Sequence, residues 1–221
     1  MKKLIIICLL LFSIVLPGCN KNYNRIKNNL AEVRYNVFVG ENDNFKITFM
    51  SGKREKDYSI NGYNTELIDF GVITIISKNS STDLTNSNVK ISIGENQFEE
   101  VLEKNPFDNT YVADIKTLVD DSINTISVKI NNPDSNISLI NNCSEWKVNH
   151  SKALKLAFNQ LSKELKPHIT TQFLGEIYVK IIEDTINANG NYLWYVNFVS
   201  RTGNQYSVII DPISAEILAQ K

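Results

Sequence analysis

Eight short runs of β-branched and aromatic residues lie between residues 33 and 140, each separated from the next by turn-forming residues. In the first run, Val33–Val39, every second residue is apolar, which is typical of a strand with one buried face. The other runs are Phe45–Phe49, Phe70–Ile76, Val89–Ile93, Gln97–Leu102, Tyr111–Ile115, Ile123–Ile130 and Ile137–Ile140. Strands this short and this closely spaced predict a mainly-β fold, with an antiparallel β-sandwich over residues 31–147.

Immunoglobulin-like domains are one form of such a sandwich, but their Cys…Trp…Cys signature is missing here. Cys143 is the only cysteine beyond residue 19, so this part of the chain cannot form an internal disulfide. A thiol nucleophile would need an activating base, and the chain has only two histidines, His150 and His168. We interpret Cys143 as a packed residue rather than as a nucleophile.

The pattern changes near residue 148, where one amphipathic helix precedes four strands. From Ser151 to Leu165 the apolar residues share one helical face, and Pro167 ends the helix. The predicted buried face comprises Ala153, Leu154, Ala157, Phe158, Leu161 and Leu165. The predicted strands are Glu176–Ile182, Tyr192–Val199, Gln205–Ile210 and Glu216–Ala219. A helix that lies across a small antiparallel sheet buries the apolar faces of both.

The motifs of this last third of the chain occur in the order of a known family. A helix and a hairpin are followed by Tyr192–Val196, Tyr206–Asp211 and the ending Ser214–Leu218, with Ala215 where the family usually has glycine. In this order the segment 148–221 resembles a PepSY domain. The resemblance implies a small extracytoplasmic α+β module of peptidase propeptides and surface lipoproteins, for which peptidase inhibition or protein binding has been proposed. It brings no catalytic residues.

The first nineteen residues have the features of a secretory signal. A charged start precedes the apolar run Leu4–Phe12, which is shorter than the about 20 residues that a bilayer span needs. The ending Leu16-Pro17-Gly18-Cys19 resembles a bacterial lipobox, in which the cysteine is acylated. We therefore expect residues 1–18 to be removed, Cys19 to carry lipid, and residues 19–30 to form a polar tether. An uncleaved membrane anchor is the alternative.

Two clusters of charged residues are candidate binding sites, one for a partner protein and one for calcium. The run Ser51–Tyr58 could dock a partner, but a mixed-sign run beside a glycine turn is more simply a solvated surface. Asp114, Asp120 and Asp121 lack the central glycine and the final glutamate of an EF-hand loop. No His, Cys or Glu grouping has the spacing of zinc ligands. We expect no metal and no cofactor.

An aromatic stripe, Tyr192, Trp194 and Phe198, could line a peptide groove. On a small sheet covered by one helix, however, such a stripe is first of all core. We also expect an unpaired strand edge to be able to accept a partner's extended segment, and Glu216–Ala219 is the edge that the pattern favours. We expect limited proteolysis to cut first in the tether and near the junction Asn141–Asn149.

The sequence therefore predicts a non-enzymatic lipoprotein on the extracytoplasmic face of a bacterial cell membrane. It contains no Gly-x-Ser-x-Gly elbow and no phosphate-binding loop, and its formal net charge of −1 disfavours nucleic acid. Its expected partners are the membrane, through lipid on Cys19, and a secreted peptidase or wall hydrolase. A module that binds cell-wall glycan or peptide is the alternative, and an enzyme comes third.

Overall fold

Strands dominate the structure, which confirms the mainly-β, antiparallel class expected from the sequence. The computed structural model of the chain describes residues 23–27, 29–56, 65–79, 81–108, 110–131, 133–185 and 190–221. The signal segment 1–18 and the proposed lipidation residue Cys19 lie outside these residues.

Every run that was predicted to be a strand is one, and a two-residue strand, β6, is added. The strands of the first part of the chain are β1 (Leu30–Glu41), β2 (Phe45–Glu55), β3 (Leu67–Ser77), β4 (Asn88–Ile93), β5 (Asn96–Val101), β6 (Glu103–Lys104), β7 (Thr110–Ile115), β8 (Thr125–Asn131) and β9 (Asp134–Asn141). The later elements are α1 (His150–Gln160), α2 (Ser162–Leu165), a 3₁₀ turn (Lys166–His168), β10 (Gly175–Glu183), β11 (Tyr192–Ser200), β12 (Gln205–Ile210) and β13 (Ile217–Gln220).

The described strands form one sheet with a side branch. The main path has the order β13-β12-β11-β10-β1-β2-β3-β7-β6, and the branch β9-β8-β4-β5 joins it where β9 pairs with β1. All described pairs are antiparallel except that of β1 with β10, which is parallel. The main path and the branch enclose an apolar cluster, which we call the strand core; its largest fully buried side chains are Phe38, Phe45 and Phe49.

A second apolar cluster, which we call the helix core, lies between α1 and strands β10 to β12. All six residues of the predicted helix face are buried in it. The side chain of Asn149 caps α1 by accepting a hydrogen bond from the N–H of Lys152 at 2.9 Å. Pro167 lies in the 3₁₀ turn that ends the helical segment, because a proline ring cannot continue an α-helix.

Strand β1 belongs to both parts of the molecule. Its first residues pair with β10, its last residues pair with β9, and almost its whole length pairs with β2. The pairing register with β2 shifts between Arg34 and Asn36. Val33 and Val37 are buried in the helix core, whereas Phe38, on the other face of the strand, is buried in the strand core. The domain boundary at residues 147 and 148 stays a prediction, and β1 contributes to the cores on both sides of it.

Buried charges reinforce the pairing of β1 with β10. The carboxylate of Glu32 is almost fully buried, with one oxygen 2.7 Å from Nε of Arg34 and the other 2.9 Å from Nζ of Lys180. Arg34 also donates to the main-chain carbonyl of Ile181 at 3.1 Å. Loss of the Glu32 carboxylate would remove the shared counter-ion of Arg34 on β1 and Lys180 on β10, so this cluster ties the two strands together.

The packed fold begins earlier than the sequence suggested. The expected polar tether extends to residue 30, but Ile26 has no exposed surface and belongs to the helix core. Tyr23 packs on Phe158 with ring centres 6.1 Å apart, and the Asn29 side chain donates to the carbonyl of Phe173 at 3.0 Å. A single isoleucine among polar residues has no periodicity, so the sequence pattern does not reveal this contact.

Candidate functional site

A cleft of about 590 Å³ opens where the two parts of the molecule meet. Its walls come from three segments that are distant in sequence: the end of β9 with the residues after it, the β10–β11 hairpin, and the turn before β13. The residues that line this junction cleft are Val39, Ile140, Asn141, Asn142, Ser144, Glu145, Trp146, Asp184, Asn191, Tyr192, Leu193, Asp211, Pro212, Ile213 and Leu218.

The connecting segment Asn141–Asn149 forms one wall and is bonded to both parts of the molecule. The N–H of Asn142 donates to the carbonyl of Val37 at 2.8 Å, and the N–H of Val148 donates to the carbonyl of Pro212 at 3.0 Å. The sequence predicted that protease cuts first in the tether and near this segment. A protease cleaves a segment only after its backbone hydrogen bonds have opened locally. Because this segment is hydrogen-bonded to both parts of the molecule, we expect it to resist protease.

Two tryptophans fix the shape of this wall. The indole rings of Trp146 and Trp194 pack edge to face, with centres 5.2 Å apart. Trp194 is buried, and its Nε1 donates to the carbonyl of Val148 at 2.7 Å. Edge-to-face packing is a favourable aromatic geometry, and the buried hydrogen bond fixes the second ring. Trp146 is half-buried and is thereby held in place beside the cleft.

The cleft has an apolar rim that is open to solvent. Among the described residues, seven large apolar side chains are exposed, and three of them line this cleft. Ile140 is 67% exposed, Leu218 is 47% exposed and Ile213 is 43% exposed. Exposed apolar side chains are ordinary when they are scattered, but a group that shares one concave surface is typical of a binding site.

The charge of the cleft is negative. Glu145, Asp184 and Asp211 line it, and no lysine or arginine of the described chain does. The Asp211 carboxylate accepts hydrogen bonds from the N–H groups of Ser214 at 2.7 Å and Ile213 at 2.8 Å. These bonds hold the pKa of Asp211 below its ordinary value, so this carboxylate is ionised at neutral pH.

The turn that follows Asp211 has the geometry that normally selects glycine. Ala215 has a φ of 67°, and its N–H donates to the carbonyl of Asp211 at 3.0 Å. A left-handed backbone crowds the Cβ of any residue except glycine. The turn has this left-handed conformation although its residue is alanine.

Strand β13 is an edge strand. Its paired neighbour is β12, and the described residues contain no strand on its other side. Lys221, which follows β13, exchanges both main-chain hydrogen bonds with Ser207. Alternate residues of an antiparallel strand bond to the partner, so the N–H and C=O of Gln220 point away from β12. Leu218 of the same strand lines the cleft, which places the open edge beside the apolar rim.

Cys143 does not have the surroundings of a nucleophile. It lines a smaller cavity of about 300 Å³ that shares Trp146 with the junction cleft. Burial raises the pKa of the Cys143 thiol to about 12, and burial lowers the pKa of His150, whose ring packs on Tyr35 at 4.7 Å. Cys143 is therefore a neutral thiol at physiological pH, in agreement with a packed residue.

The sequence predicted a glycine turn beside the charged run Ser51–Tyr58. The described part of this run, residues 51–56, lies mostly in strand β2 instead. Gly52 lies inside β2, where a Cβ would clash with the main-chain oxygen of Val33. Nζ of Lys53 lies 3.4 Å from a carboxylate oxygen of Asp69. Glu55 is buried and accepts a hydrogen bond from the N–H of Thr65 at 2.6 Å. Residues 57 and 58 lie outside the described residues.

The three aspartates that were considered for calcium have separate structural roles. Asp114 pairs with Arg54 at 3.0 Å, and Asp120 accepts a hydrogen bond from the N–H of Ser122 at 2.8 Å in the turn between β7 and β8. Asp121 lines a separate cavity together with Tyr35 and Cys143. Within the described ranges, no three His, Cys, Asp or Glu residues are grouped so as to hold a metal ion.

The aromatic stripe Tyr192, Trp194 and Phe198 is buried in the helix core, which confirms its interpretation as core. Only Tyr192 also reaches the junction cleft. The described part of the chain has no helix with the length and apolar character that crossing a membrane requires. Comparison of the chain with protein-family models, with curated proteins and with solved structures gives no significant match.

Proposed function

We propose that the chain is a non-enzymatic, lipid-anchored extracytoplasmic protein that binds or regulates a secreted or surface protein, such as a peptidase or wall hydrolase. The observation that carries this proposal is the open edge of β13 beside an exposed apolar rim. An unpaired strand edge binds an extended segment through main-chain hydrogen bonds, while a neighbouring groove selects its side chains.

Within this proposal, residues 148–221 form a PepSY-like module and residues 31–147 form a β-sandwich that can be immunoglobulin-like. The helix on a four-stranded antiparallel sheet, in the expected order, supports the first assignment. The left-handed turn at Ala215, where the family has glycine, supports it further. Lipid on Cys19 would place the module next to the membrane, since two or three acyl chains hold a protein there stably.

A site-specific photo-crosslink in intact cells tests the proposal. A photoreactive phenylalanine analogue would replace Leu218 at the edge of β13 and, as the control, Val101 at the end of β5. Both residues are exposed, and both lie on strands with one described partner. We expect position 218 to give a discrete adduct whose mass-spectrometric identity is a secreted or surface protein, and position 101 to give none.

The same adduct from both positions, or no adduct from position 218, would contradict the proposal. Removal of Ser214–Lys221 should abolish partner capture in a pull-down, whereas neutralising the charged segment Lys53–Lys56 should leave capture intact. If neutralising Lys53–Lys56 weakens partner capture and removal of Ser214–Lys221 does not, the binding surface lies on β2 and not on β13.

One observation favours the alternative, a module that binds cell-wall glycan or peptide. Trp146 lies in the junction cleft together with the exposed residue Asn142. An aromatic ring beside amide donors and acceptors is suited to a sugar ring, which has apolar faces and hydroxyl edges. Co-sedimentation with purified wall material that is lost in Trp146→Ala, and kept when Ser214–Lys221 is removed, would establish this alternative.

A further inference from the structure

We propose that the junction cleft and β13 together bind an extended segment of a partner protein that carries an aliphatic and a basic side chain two residues apart. This inference rests on the proposed function and specifies the chemistry of the partner. It combines the open main-chain edge at Gln220, the apolar rim and the negative charge of the same cleft.

The edge determines the conformation of the bound segment. A strand added beside β13 would hydrogen-bond to the N–H and C=O of Gln220, because these groups point away from β12. Such a strand runs past Leu218, which belongs to β13 and lines the cleft. Side chains alternate between the two faces of a strand, so residues i and i+2 of the segment both face the cleft.

The rim and the carboxylates determine which side chains are preferred. An aliphatic side chain would cover the exposed surfaces of Ile140 and Leu218. A lysine or arginine two residues away would lie among carboxylates that include the exposed Glu145 and the ionised Asp211. Because no lysine or arginine of the described chain lines the cleft, an acidic segment would meet unbalanced repulsion there.

The test uses the full-length chain in detergent and fluorescein-labelled peptides, with binding measured by anisotropy. The probe is Thr-Val-Thr-Lys-Thr-Val-Thr-Lys, which places valine and lysine on one face of a strand. A rephased control, Thr-Val-Lys-Thr-Thr-Val-Lys-Thr, has the same composition but places neighbouring valine and lysine on opposite faces. A charge-reversed control has glutamate in place of lysine. We expect the probe to bind about tenfold more tightly than the charge-reversed peptide.

Protein variants locate the site. Gln220→Pro removes the outward N–H, whereas Gln220→Ala removes only the side chain, which contacts Gln160. We expect the proline variant to lose binding and the alanine variant to keep it. Glu145→Gln should weaken binding of the lysine probe by about twofold to fivefold, and Glu100→Gln on the distant strand β5 should not weaken it.

The inference is overturned if the rephased or charge-reversed peptide binds as well as the probe, or if a soluble wall glycan fragment binds and the probe does not. A probe N-methylated at alternate residues tests the main-chain bonds on the unmodified protein, and equal binding of that peptide would also overturn it. If the peptides fail while Leu218 still crosslinks to a protein in cells, the chemistry assigned here is wrong and the proposed function stands. If the probe binds without any crosslink in cells, the cleft has the side-chain preference assigned here, and the proposed function fails.

Discussion

The indole Nε1 of Trp194 donates a 2.7 Å hydrogen bond to the main-chain carbonyl of Val148, and both residues are buried. Trp194 lies in β11, while Val148 lies in the connecting segment just before α1. The bond thus joins the sheet of the helix core to the wall of the junction cleft.

Trp194→Phe keeps an aromatic ring but removes the donor to Val148. A buried carbonyl that loses its partner costs about 1–3 kcal/mol, so we expect the free energy of unfolding to fall by that amount. Denaturant unfolding monitored by circular dichroism measures the change. Tyr195→Phe, on the same strand but half-exposed, is the control and should stay within about 0.5 kcal/mol of the original protein. Equal stabilities of the two variants would contradict a role for the indole hydrogen bond.

Ala215→Gly should stabilise the protein. The left-handed backbone at φ 67° costs an alanine about 1–2 kcal/mol, and the greater freedom of glycine in the unfolded chain offsets about 0.4–1 kcal/mol of that. The net gain of up to about 1 kcal/mol should appear as a higher midpoint of thermal unfolding. Ala219→Gly, in β13, should have the opposite sign, because glycine weakens an ordinary strand position. A loss of stability in Ala215→Gly would contradict the left-handed turn.

Glu55→Gln should stabilise the protein in a pH-dependent way. Burial raises the pKa of Glu55, with a smaller opposing effect from the N–H of Thr65 and a further increase from the charge of Glu176. A raised pKa in the folded state means that ionisation destabilises the fold. The destabilisation is absent below the pKa of the unfolded chain and complete above the folded pKa.

We therefore expect Glu55→Gln to raise the free energy of unfolding at pH 7. This increase should vanish as the pH falls below the ordinary glutamate pKa of about 4.3. Glu100→Gln, on the exposed strand β5, provides the baseline. A gain that is the same at pH 3 and at pH 7 would show that ionisation of Glu55 is not its cause.

Phe158→Ala tests the helix core. Phe158 lies on the buried face of α1 and packs against Tyr23, so its truncation removes apolar contacts and leaves a cavity. We expect a loss of about 3–5 kcal/mol in the free energy of unfolding. Lys155→Ala, on the exposed face of the same helix, should have little effect. A near-neutral Phe158→Ala would place this helix face against solvent.

Cys19→Ala tests the anchor. If Cys19 is acylated, the substitution should abolish incorporation of labelled fatty acid and block removal of residues 1–18. Cys8→Ala, within the apolar run, should leave both processes unchanged. Labelled lipid on the Cys19→Ala protein, or a mature N-terminus at another residue of the original protein, would contradict the lipobox.

The elements of this fold could be predicted from the sequence where burial is periodic. The alternation in Val33–Val39 and the helical spacing of Leu154, Phe158 and Leu165 each predict one apolar face, and both faces pack in the helix core. The burial of Phe38 on the other face of β1 was not predicted. The contact of Ile26 with the helix core could not be predicted, because one apolar residue defines no period. Burial of Glu32 could not be predicted either, because a nearby Arg34 does not by itself indicate a buried carboxylate and the second cation, Lys180, is far away in the sequence.

The junction cleft was beyond prediction for a related reason. Ile140 and Ile213 look like ordinary strand and turn residues in the sequence, and only the tertiary fold brings them to one surface. The edge of β13 was expected from the sequence, because a last short strand after a turn has one neighbour. The cleft beside it depends on how β9 and β10 meet β1, which no local pattern encodes.

The position of β1 has a mechanical consequence. It is the fifth of nine strands on the main path of the sheet, and the packed residues 23–27 lie just ahead of it. A pulling force applied at Tyr23 therefore enters the sheet at its middle strand, after it has loosened Ile26 from the helix core. Extraction of β1 would break pairings with β2, β9 and β10 together, so both cores should yield in one step under load, and a single rupture event should be seen in force spectroscopy.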